Sequence, residues 1–122
     1  MKNLVAFFEI PAANFDRAVK FYETVLSIKL SVMDCEAEKM AFFPEENEKC
    51  PGSISWAKDF NPSKEGVLVS LYVENMETVV AIIEKNGGKI TCPKTKIEAE
   101  GMGYCAQFID SEGNRVGLYS DK

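Results

Sequence analysis

No histidine occurs anywhere in the 122 residues. Its absence excludes every site built on imidazole, including a triad of two histidines and a carboxylate. The four cysteines, Cys35, Cys50, Cys92 and Cys105, have no CxxC spacing. They are expected as free thiols, neither metal ligands nor disulfides. Long apolar runs are also missing. None approaches the roughly 18 residues of a membrane span, and Glu9 and Pro11 interrupt MKNLVAFFEIP before the core of a signal peptide forms. Positive charge is scarce, with 14 Lys and Arg against 19 Asp and Glu for a net charge of −5. The lysines are scattered (Lys20, Lys29, Lys39, Lys58, Lys85) and form no stripe, which argues against nucleic acid as a partner. The expectation is a cytoplasmic protein with no membrane and no nucleic-acid partner.

What the chain does have is an internal repeat. The stretch FFEIPAANFDRAVKFYETVL, residues 7–26, returns 61 residues later as LVSLYVENMETVVAIIEKNG, residues 68–87. Asn14 falls over Asn75, Asp16 over Glu77, Val19 over Val80 and Glu23 over Glu84. Self-similarity at a fixed period marks a duplicated unit. Two separate domains of this size would each have too little core, so a single domain over 1–122 is expected, with module one at about 1–60 and module two at about 61–122.

Each copy reads as a strand, a capped turn and an amphipathic helix. Leu4–Ile10 is an apolar, aromatic strand ended by Pro11, and Asn14 is placed to cap the helix that follows. Phe15, Ala18, Val19, Tyr22 and Leu26 mark one helical face. Ile28–Met33, Lys39–Phe43 and Ser53–Lys58 read as strands, the last carrying the one tryptophan, Trp56. In the second copy Val67–Val73 is a strand and Asn75 a cap. Met76, Val79, Val80 and Ile83 form the buried helix face, with Gly87 and Gly88 as the stop. Lys89–Cys92 is a strand, Pro93–Gly103 a long loop, and Tyr104–Ile109 and Arg115–Ser120 a hairpin. The order is βαβββ twice, an α+β fold.

The paired βαβββ halves, the helix NFDRAVKFYETVL with its Phe21-Tyr22 pair, and the closing hairpin FIDSEGNRVGL together resemble the vicinal oxygen chelate superfamily. This is the group of glyoxalase I, extradiol dioxygenases, and the fosfomycin- and bleomycin-resistance proteins. FFEIP and GMGYCAQFIDSEGNRVGLY look like its glyoxalase-like branch of unknown function. The resemblance implies two modules curling their strands into a cleft-bearing mixed sheet with helices outside, and a homodimer. Pairing of the halves within one chain or between two chains stays open. It also implies four metal-ligand positions, which fall on Phe7, Trp56, Leu68 and Gly117. None offers a carboxylate, imidazole or thiolate. No metal and no cofactor are expected at the family site, and a carboxylate-only Mg²⁺ or Ca²⁺ site elsewhere stays open.

Strand alternation gives a second view of the cleft. Phe8, Ile10, Val69, Leu71, Val73, Val116 and Leu118 make a uniform apolar face for the helices to cover. That leaves Phe7, Glu9, Leu68, Ser70, Tyr72, Arg115, Gly117 and Tyr119 on a mixed face, the kind of surface that binds a small molecule. Phe7, Trp56, Leu68 and Tyr119 are expected as apolar walls, with Trp56 alternatively a plug for the vacant metal position. Ser70, Tyr72 and Arg115 are the polar groups, and Met102 and Tyr104 lie beside glycines in a loop placed like a lid. Glu9, a carboxylate inside an apolar strand, is either a general base raised by burial or a partner for Arg115. Tyr72 and Tyr119 either donate to a ligand or bond each other across the repeat axis. Three functions follow. One is a binding protein for a partly apolar or aromatic molecule, its acidity suiting a cation. The second is a metal-independent lyase or isomerase using Glu9. The third is a structural or regulatory dimeric subunit.

Overall fold

A computed structural model describes residues 4–122. The chain divides into two compact units, one ending at Pro62 and the other beginning at Ser63. Each is one βαβββ module with its own four-stranded mixed sheet.

In module one the first strand, β1 (Phe8–Pro11), runs parallel to β4 (Gly52–Ala57), which pairs antiparallel with β3 (Glu38–Phe42), itself antiparallel to the edge strand β2 (Ser31–Asp34). Helix α1 (Phe15–Leu26) starts where expected, with Asn14 Oδ1 accepting from the Arg17 amide at 3.0 Å. Ile10, Ala41 and Ile54 form one buried face of the sheet. The helix packs on β4 and buries Phe15, Ala18, Phe21, Tyr22 and Val25. This stripe is rotated from the expected one, since Phe21 and Val25 replace Val19 and Leu26. Aromatic packing sets the rotation: the Tyr22 ring meets Phe43 edge-on at 6.2 Å and Phe21 at 5.1 Å.

Module two repeats the plan with β5 (Ser70–Tyr72), α2 (Met76–Lys85), β6 (Lys89–Lys96), β7 (Tyr104–Ile109) and β8 (Arg115–Ser120) in the sheet order β5-β8-β7-β6. Asn75 caps α2 through the Thr78 amide at 3.1 Å. The helix closes as its glycines predict: Gly88 N–H reaches back to the Ile83 carbonyl and Gly87, at φ +90°, to that of Glu84. Strand β5 is only three residues long, against the seven expected. Strand β6 continues through Pro93 to Lys96, so the first four residues of the expected loop are strand and the true loop is 97–103. The ladder slips between Ile90 and Cys92 and again between Cys92 and Thr95, and an outer strand accommodates a proline at such irregularities.

The closing hairpin owes its sequence to one buried carboxylate. Asp110 Oδ1 accepts from the amides of Glu112 and Asn114, both at 2.9 Å, and Oδ2 accepts from the Asn114 side chain at 3.1 Å. Asn114 Oδ1 in turn accepts from the Ser63 amide at 3.0 Å, pinning the start of the module to its last turn. All four cysteines are free. Among the described residues no helix is long and apolar enough to cross a membrane.

Candidate functional site

The register decides which side chains share a face. In module one Glu9 stands opposite Ser53 and Pro11 opposite Ser55 on the neighbouring strand, while Ser53 faces Phe42 and Ser55 faces Met40 across β3. These residues lie on the side of the sheet away from Ile54 and Ala41, because side chains alternate. Ser55 Oγ donates to Glu9 Oε1 at 2.9 Å, and the hydroxyls of Ser53 and Ser55 lie 2.8 Å apart. Both serines are buried. Glu9 is exposed, against the burial expected of it. Phe7, one residue ahead of β1, is 51% exposed.

Trp56 is not on this face. It pairs with Lys39 and alternates with Ser55, which puts it on the helix side with Ile54, where the Lys39 ammonium lies 5.9 Å from its ring. The expectation of Trp56 as a wall beside Glu9, or as a plug at the metal position, is therefore corrected. Its cause is a difference in length. Leu68 follows Phe7 by the repeat, and Ser70 then follows Glu9; the residue opposite Ser70 is Gly117, and the residue opposite Glu9 is Ser53. The second module is three residues longer between its paired strands, so an alignment at constant spacing misses Ser53 by three.

In module two Ser70 and Tyr72 share a face with Gly117 and Tyr119. Gly117 gives Ser70 its room: a Cβ there would lie 2.4 Å from Ser70 Oγ. The rings of Tyr72 and Tyr119 are 6.2 Å apart and tilted by 41°. The two tyrosines are side-by-side strand partners within one module and do not meet across the repeat axis. Their common partner is Asp121, whose Oδ2 accepts from the Tyr72 hydroxyl at 2.8 Å and Oδ1 from Tyr119 at 3.4 Å. This bond to Asp121, then desolvation and nearby negative charge, pushes the Tyr72 hydroxyl above its ordinary value. Tyr119 Oη also accepts from the Gly103 amide at 2.9 Å. Arg115 is exposed and opposite Ile109 at the far end of β8.

Met102 is exposed in the 97–103 loop, but the loop is braced. Ile97 N–H bonds the Gly103 carbonyl at 2.9 Å and Lys96 Nζ bonds the Met102 carbonyl at 2.6 Å. Tyr104 is not in the loop. It opens β7 opposite Ser120, on the helix side, with the ammonium groups of Lys94 and Lys96 at 4.6 and 5.6 Å from its ring.

Of the metal-ligand positions that the resemblance implies, Phe7, Leu68 and Gly117 stand, and the register puts Ser53 where constant spacing puts Trp56. Their side chains offer one neutral hydroxyl and no anionic donor, which does not fit a divalent ion. Among the described residues no three His, Cys, Asp or Glu side chains gather in a cluster that could hold one. A groove of about 480 Å³ lies elsewhere, on the helix side between α1 and strands β2 and β3, walled by Val19, Lys20, Glu23, Val32, Asp34 and Lys39. Sequence reasoning did not anticipate it. It mixes charges of both signs, and Glu23 Oε2 already accepts from the Leu30 amide at 2.8 Å.

Solved structures bear out the fold. The chain is similar over its whole length to the glyoxylase/bleomycin resistance protein/dioxygenase domain from Frankia sp. EAN1pec, with a TM-score of 0.74 and 14% identity, covering 100% of both chains. It is similar to a glyoxalase I mutant from Zea mays with a TM-score of 0.72 and 20% identity, over 95% of this chain and 46% of that one, so it spans less than half the length of the maize protein. An antibiotic binding protein from Streptomyces sp. CB03234 matches with a TM-score of 0.68 and 18% identity over 98% and 97% of the two chains. No protein-family model matches the chain, and no curated protein matches it in sequence. The fold is that of the vicinal oxygen chelate proteins.

Proposed function

We propose that this chain is a binding protein of the glyoxalase and bleomycin-resistance type that takes a small, partly apolar or aromatic molecule without a metal. The reading is carried in each module by large apolar side chains left exposed beside polar groups: Phe7 at 51% near Glu9 in the first, and Leu68 at 43% and Tyr72 at 58% near Ser70 and Tyr119 in the second. Mixed surfaces of this kind mark ligand sites. The antibiotic binding protein from Streptomyces, with the same fold, supports it. Arg115 and Met102 join the ligand-binding set as exposed groups, whereas Trp56 and Tyr104, on the helix sides, leave it. A homodimer working in the cytoplasm belongs to this reading.

An enzymatic version, with Glu9 as the general base of a lyase or isomerase, has the exposed position of Glu9 against it. Two measurements test the proposal. Elemental analysis of the purified protein is expected to find no stoichiometric transition metal. A thermal-shift screen of aromatic and cationic metabolites is expected to give hits, since ligand at a hundred times its Kd adds about 2.7 kcal/mol. A bound metal overturns the metal-free assignment, and a screen without hits favours the structural-subunit alternative.

A further inference from the structure

Ser55 has one hydroxyl proton, and a carboxylate only accepts, so that proton goes to Glu9. The bond between the two serine hydroxyls must then be donated by Ser53. Two O–H groups therefore point in one sense, from Ser53 through Ser55 to Glu9 Oε1. Their setting is asymmetric: Ser53 and Ser55 are 0% and 3% exposed, while the carboxylate at the end of the chain is exposed. Hydrogen bonds aligned toward a charge polarise one another and are stronger than neutral ones. The pair thus fixes one oxygen of Glu9, and among the described residues Oε2 has no hydrogen-bond partner.

The surroundings say what that donor is. Phe42 and Met40 sit opposite Ser53 and Ser55 on the same face, half-buried, so the acid borders apolar surface. The nearest strand lysine, Lys39, faces the other way and lies beside Trp56. The chain as a whole carries a net charge of −5, a field that favours approach of cations. We infer that Glu9, positioned by Ser55 and Ser53, anchors the ammonium or amidinium group of an organic cation whose apolar part rests on Phe42 and Met40. The inference rests on the small-molecule reading above and gives it a ligand class.

The test uses three probes that share a phenyl group and differ in charge: phenethylamine, 2-phenylethanol and phenylacetate. Calorimetric titration of the full chain is expected to rank the amine about fivefold above the alcohol, the advantage an exposed ion pair supplies, with phenylacetate weakest. Added salt shrinks that margin. Glu9→Gln brings the affinities of amine and alcohol together. Ser55→Ala reduces the amine's advantage and Ser55→Thr, which keeps the hydroxyl, restores it. Equal affinity for amine and alcohol in the parent protein overturns the inference and leaves the binding reading standing. So does an advantage that survives Glu9→Gln. If the amine's advantage is the same in Ser55→Ala, with circular dichroism showing the variant folded, the serines have no positioning role. If none of the probes binds, the small-molecule reading falls with it.

Discussion

Glu9 and Ser53 stand opposite each other on neighbouring parallel strands, and Ser70 and Gly117 hold the same relation in the second module. One copy fills the pair with an acid and a hydroxyl, the other with a hydroxyl and no side chain. The steric consequence is testable. A Cβ on Gly117 meets Ser70 Oγ at 2.4 Å and Ser70 Cβ at 3.3 Å. Gly117→Ala should cost about 1–3 kcal/mol, the usual range for overpacking. In a Ser70→Gly background the same change should cost clearly less. Additive losses in urea unfolding would show that the two positions do not touch in solution.

The hydroxyl chain makes the two serines of β4 unequal. Removing Ser55 leaves the Ser53 hydroxyl buried with its partner gone, a loss of about 1–3 kcal/mol. Removing Ser53 deletes the far donor and strands nothing charged, so Ser53→Ala should cost only about 1 kcal/mol. The double variant is expected to fall short of the sum of the singles. Chemical denaturation of all three settles the order, and a larger loss for Ser53→Ala contradicts the assigned direction.

Gly103 lies so close to Ser120 that a Cβ would sit 2.1 Å from the Ser120 carbonyl oxygen, a backbone atom with no rotamer to yield. Its amide also donates to Tyr119. Gly103→Ala should therefore destabilise by about 2 kcal/mol or more, beyond Tyr119→Phe, which loses the bond from the Gly103 amide at 2.9 Å and the long one to Asp121 at 3.4 Å and should cost about 1 kcal/mol. Thermal melts of the two variants make the comparison, and a near-neutral Gly103→Ala shows that the loop re-forms around the methyl group.

Tyr72 supplies a pH dependence. Its hydroxyl is held above the ordinary tyrosine value of 10.0 chiefly by the bond to Asp121. The folded chain thus keeps this proton more tightly than the unfolded one. The associated stability is present in full below about pH 10 and is lost as pH rises through the folded value. In an ultraviolet absorbance titration Tyr72→Phe should remove a late phenolate step, and Asp121→Ala should move that step earlier. A Tyr72 that titrates like a free tyrosine means the bond does not persist in water.

The fold was legible because its signals are local and doubled. Asn14 and Asn75 each announce a helix, Gly87 and Gly88 end one, and Gly113 marks the last turn, where Asp110 accepts amides that a tight hairpin must satisfy. Face and register were only half legible. Glu9, Ser70, Tyr72 and Tyr119 came out on the expected side because alternation within a short strand suffices to place them. Trp56 did not, because its position rests on constant spacing between the two copies, and that spacing fails when one copy is three residues longer. The signal that would have placed it was Ser53-Ile54-Ser55-Trp56 itself, whose two hydroxyls alternate with two large apolar groups. That pattern also held Ser53 and Ser55, the site residues sequence reasoning missed. The burial of Glu9 could not be read at all, since it depends on what other parts of the chain cover.

The slipped ladder of β6 has a bearing on how the protein behaves at high concentration. Its outer edge is broken twice in register and carries Pro93, which has no amide to offer, so it is a poor template for an incoming strand. The corresponding edge in module one, Ser31–Asp34, is regular and exposed along its length, with Val32 and Met33 at 55% and 44%. Only its shortness and the charge of Asp34 guard it. Self-association and fibril growth, when the protein is crowded or partly unfolded, should therefore begin at this first copy and leave the second untouched.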